Sequence, residues 1–155
     1  MRVGFGIDIH PFARGRDLVL GGIKIPHSKG LKGHSDADVL VHAVMDALLG
    51  AAGLGDIGIH FPNSDLGLKN ISSLLLLKRV KTILKKEKYK IENIDSTLQI
   101  EVPKVAPFLP LMRQNIAMSL GLALHQVNVK ATRAERLGFV GEEKGVVAYA
   151  VCMIK

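Results

Sequence analysis

Asp8 and His10 lie two residues apart in the opening apolar run of the chain, and His42 lies in a long apolar segment that follows His34-Ser35-Asp36. In an extended strand, residues i and i+2 project to one face, so Asp8 and His10 share a side while Ile9 takes the other. A carboxylate and an imidazole on one face are two of the three protein ligands a catalytic zinc site uses, and His42 from a facing helix would be the third. Around His42, the run Val39 to Leu49 is apolar except for His42 itself and Asp46, with Asp38 just before it. The i, i+4, i+8 spacing of Asp38, His42 and Asp46 places them on one stripe of a helix. A polar stripe on an apolar helix costs free energy unless it is paired or bound to something. Two arrangements would satisfy it: a divalent metal held by Asp8, His10 and His42, or a buried Asp–His hydrogen-bonded pair without metal. Asp38 or Asp46 is placed to hold the second imidazole nitrogen of His42, as metal-ligating histidines usually require.

The elements that would carry these residues follow from pattern and punctuation. Val3 to Ile9 is strand-like though its alternation is poor, and Leu18–Leu20 and Ile23–Ile25 flank Gly21-Gly22, a hairpin signal. Ser35 or Asp36 is expected to cap a helix running to about Ala52, with Ser35 and Asp38 resembling a capping box and Gly53 and Gly55 ending it. Leu54 to Leu68 reads as loop, and Ser72 as the cap of a second helix with lysines on its outer face. Ile91 to Val102 alternates as a strand stopped by Pro103; a third helix spans about Phe108 to Leu120, and Val127–Thr132 and Val146–Ile154 are two further strands. Strands separated by helices, with an adjacent pair at the end, predict an α/β (α+β) fold, a single domain over residues 1–155. Its architecture is a two-layer sandwich with helices on one face of a mixed β-sheet. The late strands are apolar on both faces, so subunit association is expected to cover the other side of the sheet.

At 155 residues the chain fits one domain with a substantial core. It has no apolar run of membrane-spanning length and no leader-like start, so a cytoplasmic protein is expected. The single cysteine, Cys152, falls in the last apolar run and reads as a core residue. The formal charge of +7 favours anionic partners. Much of it comes from Lys78, Lys81, Lys85, Lys86 and Lys88, on the polar face of an amphipathic pattern whose inner face is Leu74, Leu77, Val80, Ile83 and Leu84. With few aromatics, no Trp, no arginine cluster and no recognisable nucleic-acid module, this reads as a solvated helix face, and no nucleic-acid partner is expected.

Four loops are candidates for the substrate. Asp56-Ile57-Gly58 and Phe61-Pro62-Asn63-Ser64-Asp65 combine small residues with short acids suited to close backbone approach and hydroxyl binding. Lys130-Ala131-Thr132-Arg133-Ala134-Glu135 offers cations, a hydroxyl and a carboxylate at a strand end, a set suited to a phosphate chain carrying its own Mg²⁺. His34 and Ser35 sit where a helix N-terminus would favour an anion.

Taken together in order, Gly4-Phe5-Gly6-Ile7-Asp8-Ile9-His10, His34-Ser35-Asp36-Ala37-Asp38, Gly55-Asp56-Ile57-Gly58, Phe61-Pro62, Asn128-Val129-Lys130-Ala131-Thr132 and Leu137-Gly138-Phe139 closely resemble the 2-C-methyl-D-erythritol 2,4-cyclodiphosphate synthase family, across nearly the whole chain. The resemblance implies a lyase of the non-mevalonate isoprenoid pathway. It would convert 4-diphosphocytidyl-2-C-methyl-D-erythritol 2-phosphate into the 2,4-cyclodiphosphate and CMP, in a homotrimer with active sites between subunits. It implies Zn²⁺ on Asp8, His10 and His42 and a second ion, Mg²⁺ or Mn²⁺, on Glu135 with the substrate phosphates. It further implies that His34 and Ser35 bind the 2-phosphate and transition-state charge, and that Asp56 and Gly58 bind the methylerythritol hydroxyls. A cytidine pocket would come from Ile100, Pro103, Lys104, Val105, Ala106 and the Lys130–Thr132 strand end, and Phe139 and Glu142 complete the implied ligand contacts. Three positions depart from the family pattern. Asn63 replaces the usual aspartate after Phe-Pro, keeping an acceptor but losing a charge. Arg133 stands where a threonine credited with transition-state stabilisation is common, and its guanidinium is placed to reach a phosphate. Glu142 replaces an arginine that in some members lines a central trimer cavity holding isoprenoid diphosphates, and three acids on a three-fold axis would repel such a ligand. The competing readings are a zinc-dependent phosphoesterase or nucleotidase using metal-bound hydroxide, and a non-catalytic basic module.

Overall fold

The computed structural model describes all 155 residues. Its first strand, β1 (Arg2–Ala13), alternates in an inverted sense that explains its weak sequence pattern. Val3, Phe5, Ile7 and Ile9 point away from the core and are exposed, while Gly4 and Gly6 are buried. Helix α1 (Val39–Ala52) lies directly on those glycines: a Cβ on Gly4 would stand 1.9 Å from the carbonyl oxygen of Ala47, and one on Gly6 2.1 Å from that of Ala43. Ala43, Ala47 and Ala51 recur every four residues and form the small-residue row that permits this approach. Asp8 and His10 continue the glycine face of the strand, so the close packing brings them under α1.

A hairpin follows, β2 (Leu18–Leu20) and β3 (Ile23–Ile25), turned by Gly21 and Gly22 at φ of 58° and 71° as its two-glycine connection requires. The five-stranded sheet has the order β4-β1-β7-β5-β6, with β4 Gly30–Leu31, β5 Ile91–Gln99, β6 Val127–Thr132 and β7 Gly145–Ile154. β1, β7 and β5 run antiparallel and β5 and β6 parallel, the expected mixed sheet. Helices α3 (Ser73–Lys86) and α4 (Leu109–Leu120) join α1 around one continuous core, in which Leu77, Val80, Leu84, Met112 and Ile116 pack with the inward residues of β7. Cys152 is among these, and burial pushes its thiol up to about 11. No helix is long and apolar enough to cross a membrane.

Several local expectations are corrected. Ala37 adopts φ of 59°, so α1 cannot begin at Ser35 or Asp36; Asp38 is its cap, accepting the Val41 N–H at 3.2 Å, and Ser35 Oγ accepts the Ala37 N–H instead. His34 and Ser35 therefore do not sit at a helix N-terminus. Ser72 makes no capping bond for α3, and the Ser73 N–H is taken by Asp36 at 2.9 Å. The segment read as loop contains a short helix, α2 (Ile57–His60), and a 3₁₀ turn at Leu66–Leu68. β5 ends at Gln99, because the last strand-like bond is Ile100 N–H to Thr132 O before the chain turns away toward Pro103. A last short helix, α5 (Gly138–Gly141), packs Val140 with Ala134 and Val147 on the outer side of β7, so the second face is partly covered. Val3, Phe5, Ile7, Ile9 and Val151 remain exposed on it.

Candidate metal centre and active site

Asp8, His10 and His42 converge at the end of β1 nearest the start of α1. Asp8 Oδ2 lies 2.7 Å from His10 Nε2 and 3.0 Å from His42 Nδ1, and the two nitrogens are 3.2 Å apart. A tetrahedral zinc with bonds of about 2.0–2.1 Å needs ligand atoms about 3.3 Å apart, so the three donors fit such an ion with a few tenths of an ångström of expansion. The remaining ring nitrogens are occupied behind the site: His10 Nδ1 faces the Lys32 carbonyl at 2.5 Å, and His42 Nε2 faces Ser35 Oγ at 3.1 Å and Ser73 Oγ at 3.0 Å. The donor set is thus already oriented toward one point.

The polar stripe of α1 does three separate jobs, and the expectation that Asp38 or Asp46 holds His42 is wrong. Asp38 is fully buried and accepts the N–H groups of Gly21 and Gly22, which leaves its carboxylate committed to the hairpin turn. Burial, reinforced by the charge of Asp36, pushes its carboxyl up to about 6 against those bonds. Asp46 accepts the Ile57 N–H at 2.8 Å and so fixes the start of α2, its carboxyl raised chiefly by burial. His42, between them, is held by serines that come from the loop before α1 and from the start of α3.

Burial would raise the Asp8 carboxyl, but hydrogen bonds and positive charge from His10 and His42 outweigh it and hold the group well below the usual carboxylate range. Burial likewise opposes the charging of His10, yet Asp8 and the Lys32 carbonyl win, and its pKa rises above the ordinary 6.5. Zinc binds only the deprotonated ring, so proton competition at His10 starts at a higher pH than for a free imidazole. Affinity of the three donors for a divalent ion such as Zn²⁺ should be greatest on the alkaline side and fall by about tenfold per pH unit below the His10 pKa. Chelator-competition titrations across neutral pH read this directly, and an affinity that stays flat down to the ordinary imidazole pKa contradicts it.

A cavity of about 420 Å³ opens in front of the three donors, lined also by His34, Ser35, Ile57, Gly58, Phe61, Pro62 and Asn63. Gly33, Leu68 and Leu76, which sequence reasoning passed over, complete its wall. Asp56 does not line it; its side chain caps α2 through the Ile59 N–H. Ser64 and Asp65 also lie outside, Asp65 bonding the Gly67 N–H. A second cavity of about 390 Å³ gathers Ile100, Pro103, Lys104, Val105, Ala106, Ala131, Thr132 and Arg133, together with Glu101. Glu101 carried no signal in the sequence, but it accepts the Ala134 N–H at 3.1 Å and so shapes the turn after β6. Lys130 does not line this cavity and forms an ion pair with Asp95 instead. Glu135 and Phe139 are exposed and border neither cavity. Glu142 pairs with Lys144 at 2.5 Å, so its charge is compensated and the repulsion expected from it is weakened.

The two cavities share no residue. Asp8, Ala148, Leu98 and Ala131 form one row across β1, β7, β5 and β6, so three interstrand steps separate the metal donors from the second cavity, about 14 Å.

The YgbB family model matches residues 1–155. The chain belongs to the YgbB family. Among its relatives, a 2-C-methyl-D-erythritol 2,4-cyclodiphosphate synthase of Chlorobium phaeobacteroides is 60% identical over 155 residues, covering 100% of this chain and 98% of that protein. Two solved structures share the fold of this YgbB member. The bifunctional IspDF of Campylobacter jejuni is 42% identical with a TM-score of 0.95, covering 99% of this chain, which spans 42% of that longer protein. A CDP complex of IspF from Plasmodium falciparum is 32% identical with a TM-score of 0.85, covering 99% of this chain and 94% of that one.

Proposed function

We propose that this protein is a 2-C-methyl-D-erythritol 2,4-cyclodiphosphate synthase that closes 4-diphosphocytidyl-2-C-methyl-D-erythritol 2-phosphate into the cyclodiphosphate with loss of CMP. The observation that carries this reading is the three-donor centre facing a cavity, in a chain whose full-length relatives bear that name. In the reaction, an oxygen of the 2-phosphate bonds to the β-phosphorus, the bond from that phosphorus to the oxygen bridging it to the α-phosphate breaks, and CMP leaves. No water is consumed and no protein nucleophile is needed. Asp8, His10 and His42 would hold Zn²⁺ or another divalent ion, which would supply positive charge to phosphate oxygens. His34 and Ser35 border the same cavity and bind the 2-phosphate; the Gly58 turn fixed by Asp46 and Asp56 receives the methylerythritol part. Holding the two phosphates in line can supply roughly 7–11 kcal/mol of the barrier reduction.

The second cavity, with its Pro103–Ala106 backbone and Thr132, is assigned to cytidine, in keeping with the CDP bound by the Plasmodium relative. Its separation from the metal centre within one subunit favours an active site shared between subunits. The exposed Val3, Phe5, Ile7 and Ile9 supply the apolar surface for a homotrimer. In such an assembly Arg133 would face phosphate, and Glu135 would hold Mg²⁺ or Mn²⁺, whose charge would offset that of the diphosphate. The phosphoesterase reading uses the same donors but must incorporate solvent oxygen. Incubation with the diphosphocytidyl substrate, Zn²⁺ and Mg²⁺ in ¹⁸O-water should release CMP and unlabelled cyclodiphosphate in equal amounts. A linear, ¹⁸O-labelled product assigns the chain to hydrolysis instead.

A further inference from the structure

Arg16 lies in the turn between β1 and β2 and borders neither the metal cavity nor the second one. Its guanidinium nevertheless grips the wall of the first. Nη1–H donates to the Gly33 carbonyl at 2.8 Å and Nη2–H to the Ser35 carbonyl at 2.5 Å, so the fork spans His34. The carbonyl between them, that of His34, accepts the Asn70 N–H at 2.9 Å, and the Asp36 N–H donates to Ile71 O at 3.1 Å. Gly33 to Asp36 belong to no helix or strand, so no ladder fixes their backbone, and these bonds from outside the segment do so instead. Gly33, His34 and Ser35 all line the cavity in front of Asp8, His10 and His42.

The backbone of the arginine is itself held. Gly30 of β4 packs against it closely: a Cβ there would stand 2.1 Å from the Asp17 carbonyl oxygen and 2.6 Å from that of Arg16. Arg16 forms no salt bridge, so the two carbonyls are its partners. A guanidinium presents several N–H donors in a rigid plane and can bridge two acceptors, whereas a lysine ammonium is one compact charge on a flexible stem. We propose that Arg16 is a positioning residue for the reaction, which by bridging Gly33 and Ser35 sets where His34 and Ser35 meet the 2-phosphate of the substrate. The inference deepens the reading of His34 and Ser35 as the 2-phosphate site and rests on it. That phosphate supplies the attacking oxygen, and a displacement of about 1 Å in what positions it can cost about 10²-fold in rate.

Arg16→Ala should lower kcat by about 10–100-fold, with KM moved less because the diphosphocytidyl end is bound elsewhere. Zinc content should stay native, because the three donors and the Ser73 hydroxyl behind His42 are untouched. Arg16→Lys keeps the charge but cannot bridge the two carbonyls, and should be as slow as Arg16→Ala. A surface cleft lined by Gly15, Arg16, Asp36 and Asn70 gives small ions access to the place the side chain vacates. Free guanidinium ion, well below denaturing concentration, should therefore restore turnover to Arg16→Ala where ammonium does not. A merely structural arginine would lose melting temperature without that rescue. Native kcat in either variant overturns the proposal, as does loss of zinc from Arg16→Ala or a response to guanidinium no better than to ammonium. Absence of cyclase turnover in the native protein defeats the functional reading itself, whereas native turnover that Arg16→Ala leaves unchanged defeats this inference alone.

Discussion

Replacing Asp8 by Ala should strip the protein of zinc and lower kcat/KM by at least about 10³-fold, roughly 4 kcal/mol of transition-state stabilisation. Asp8 Oδ2 is the atom both imidazoles share, at 2.7 and 3.0 Å, and it is the only anionic donor of the three. Without it two neutral rings remain, and they bind a divalent ion much more weakly than a site with three protein ligands. The negative charge lost is also the charge that raises the His10 pKa, so proton competition eases in the variant, but this does not replace the missing ligand. The fold should survive, because Asp8 is at the rim of the core and its side chain retains 22% exposure. Zinc content after dialysis, turnover and the circular dichroism spectrum together check the claim. Retention of one zinc per chain with native turnover would place the metal elsewhere. Asp56→Ala offers the contrast: its side chain caps α2 and does not border the cavity, so zinc should be retained.

The convergence of Asp8, His10 and His42 was legible because its two components have strict periods. Asp8 and His10 obey the two-residue repeat of a strand, and His42 stands on a polar stripe that an apolar helix cannot carry without purpose. What the stripe does was not legible. Asp38, His42 and Asp46 share a face, but each is satisfied by a different remote segment, the Gly21-Gly22 turn, the two serines and the α2 start. Sequence spacing reports which side a residue takes, and only tertiary structure reports what arrives there. Ser73 shows the same limit, since Ser72 and Ser73 are equivalent as cap candidates by residue type. The chain resolves the choice by spending Asp36 on Ser73. Motifs carried over from the family behaved similarly. Many of them gathered into two cavities, whereas Asp56, Ser64, Asp65, Lys130, Glu135, Phe139 and Glu142 border neither.

The strongest structural test concerns residues with no side chain at all. Gly6→Ala should destabilise the protein by about 3 kcal/mol or more, because the new Cβ would stand 2.1 Å from the Ala43 carbonyl oxygen and 2.7 Å from the Ala47 amide nitrogen. Both obstacles are backbone atoms of a buried helix, and no rotamer change relieves them. The strand and α1 must separate, which at about 2–4 °C per kcal/mol for a chain of this size lowers Tm by roughly 6–12 °C. The same separation draws Asp8 away from His42, one residue along α1 from Ala43, so zinc affinity should fall with stability. Gly50→Ala is the matched control in the same helix. Nothing lies within 4 Å of a Cβ there, and the substitution should stabilise by about 0.5–1 kcal/mol through helix propensity. Opposite shifts in melting temperature, with zinc affinity following only the first, would establish that Gly4 and Gly6 set the distance across which the metal donors meet. If Gly6→Ala melts like the native protein and binds zinc as tightly, α1 tolerates displacement and the donors are placed by the serine side of His42 instead.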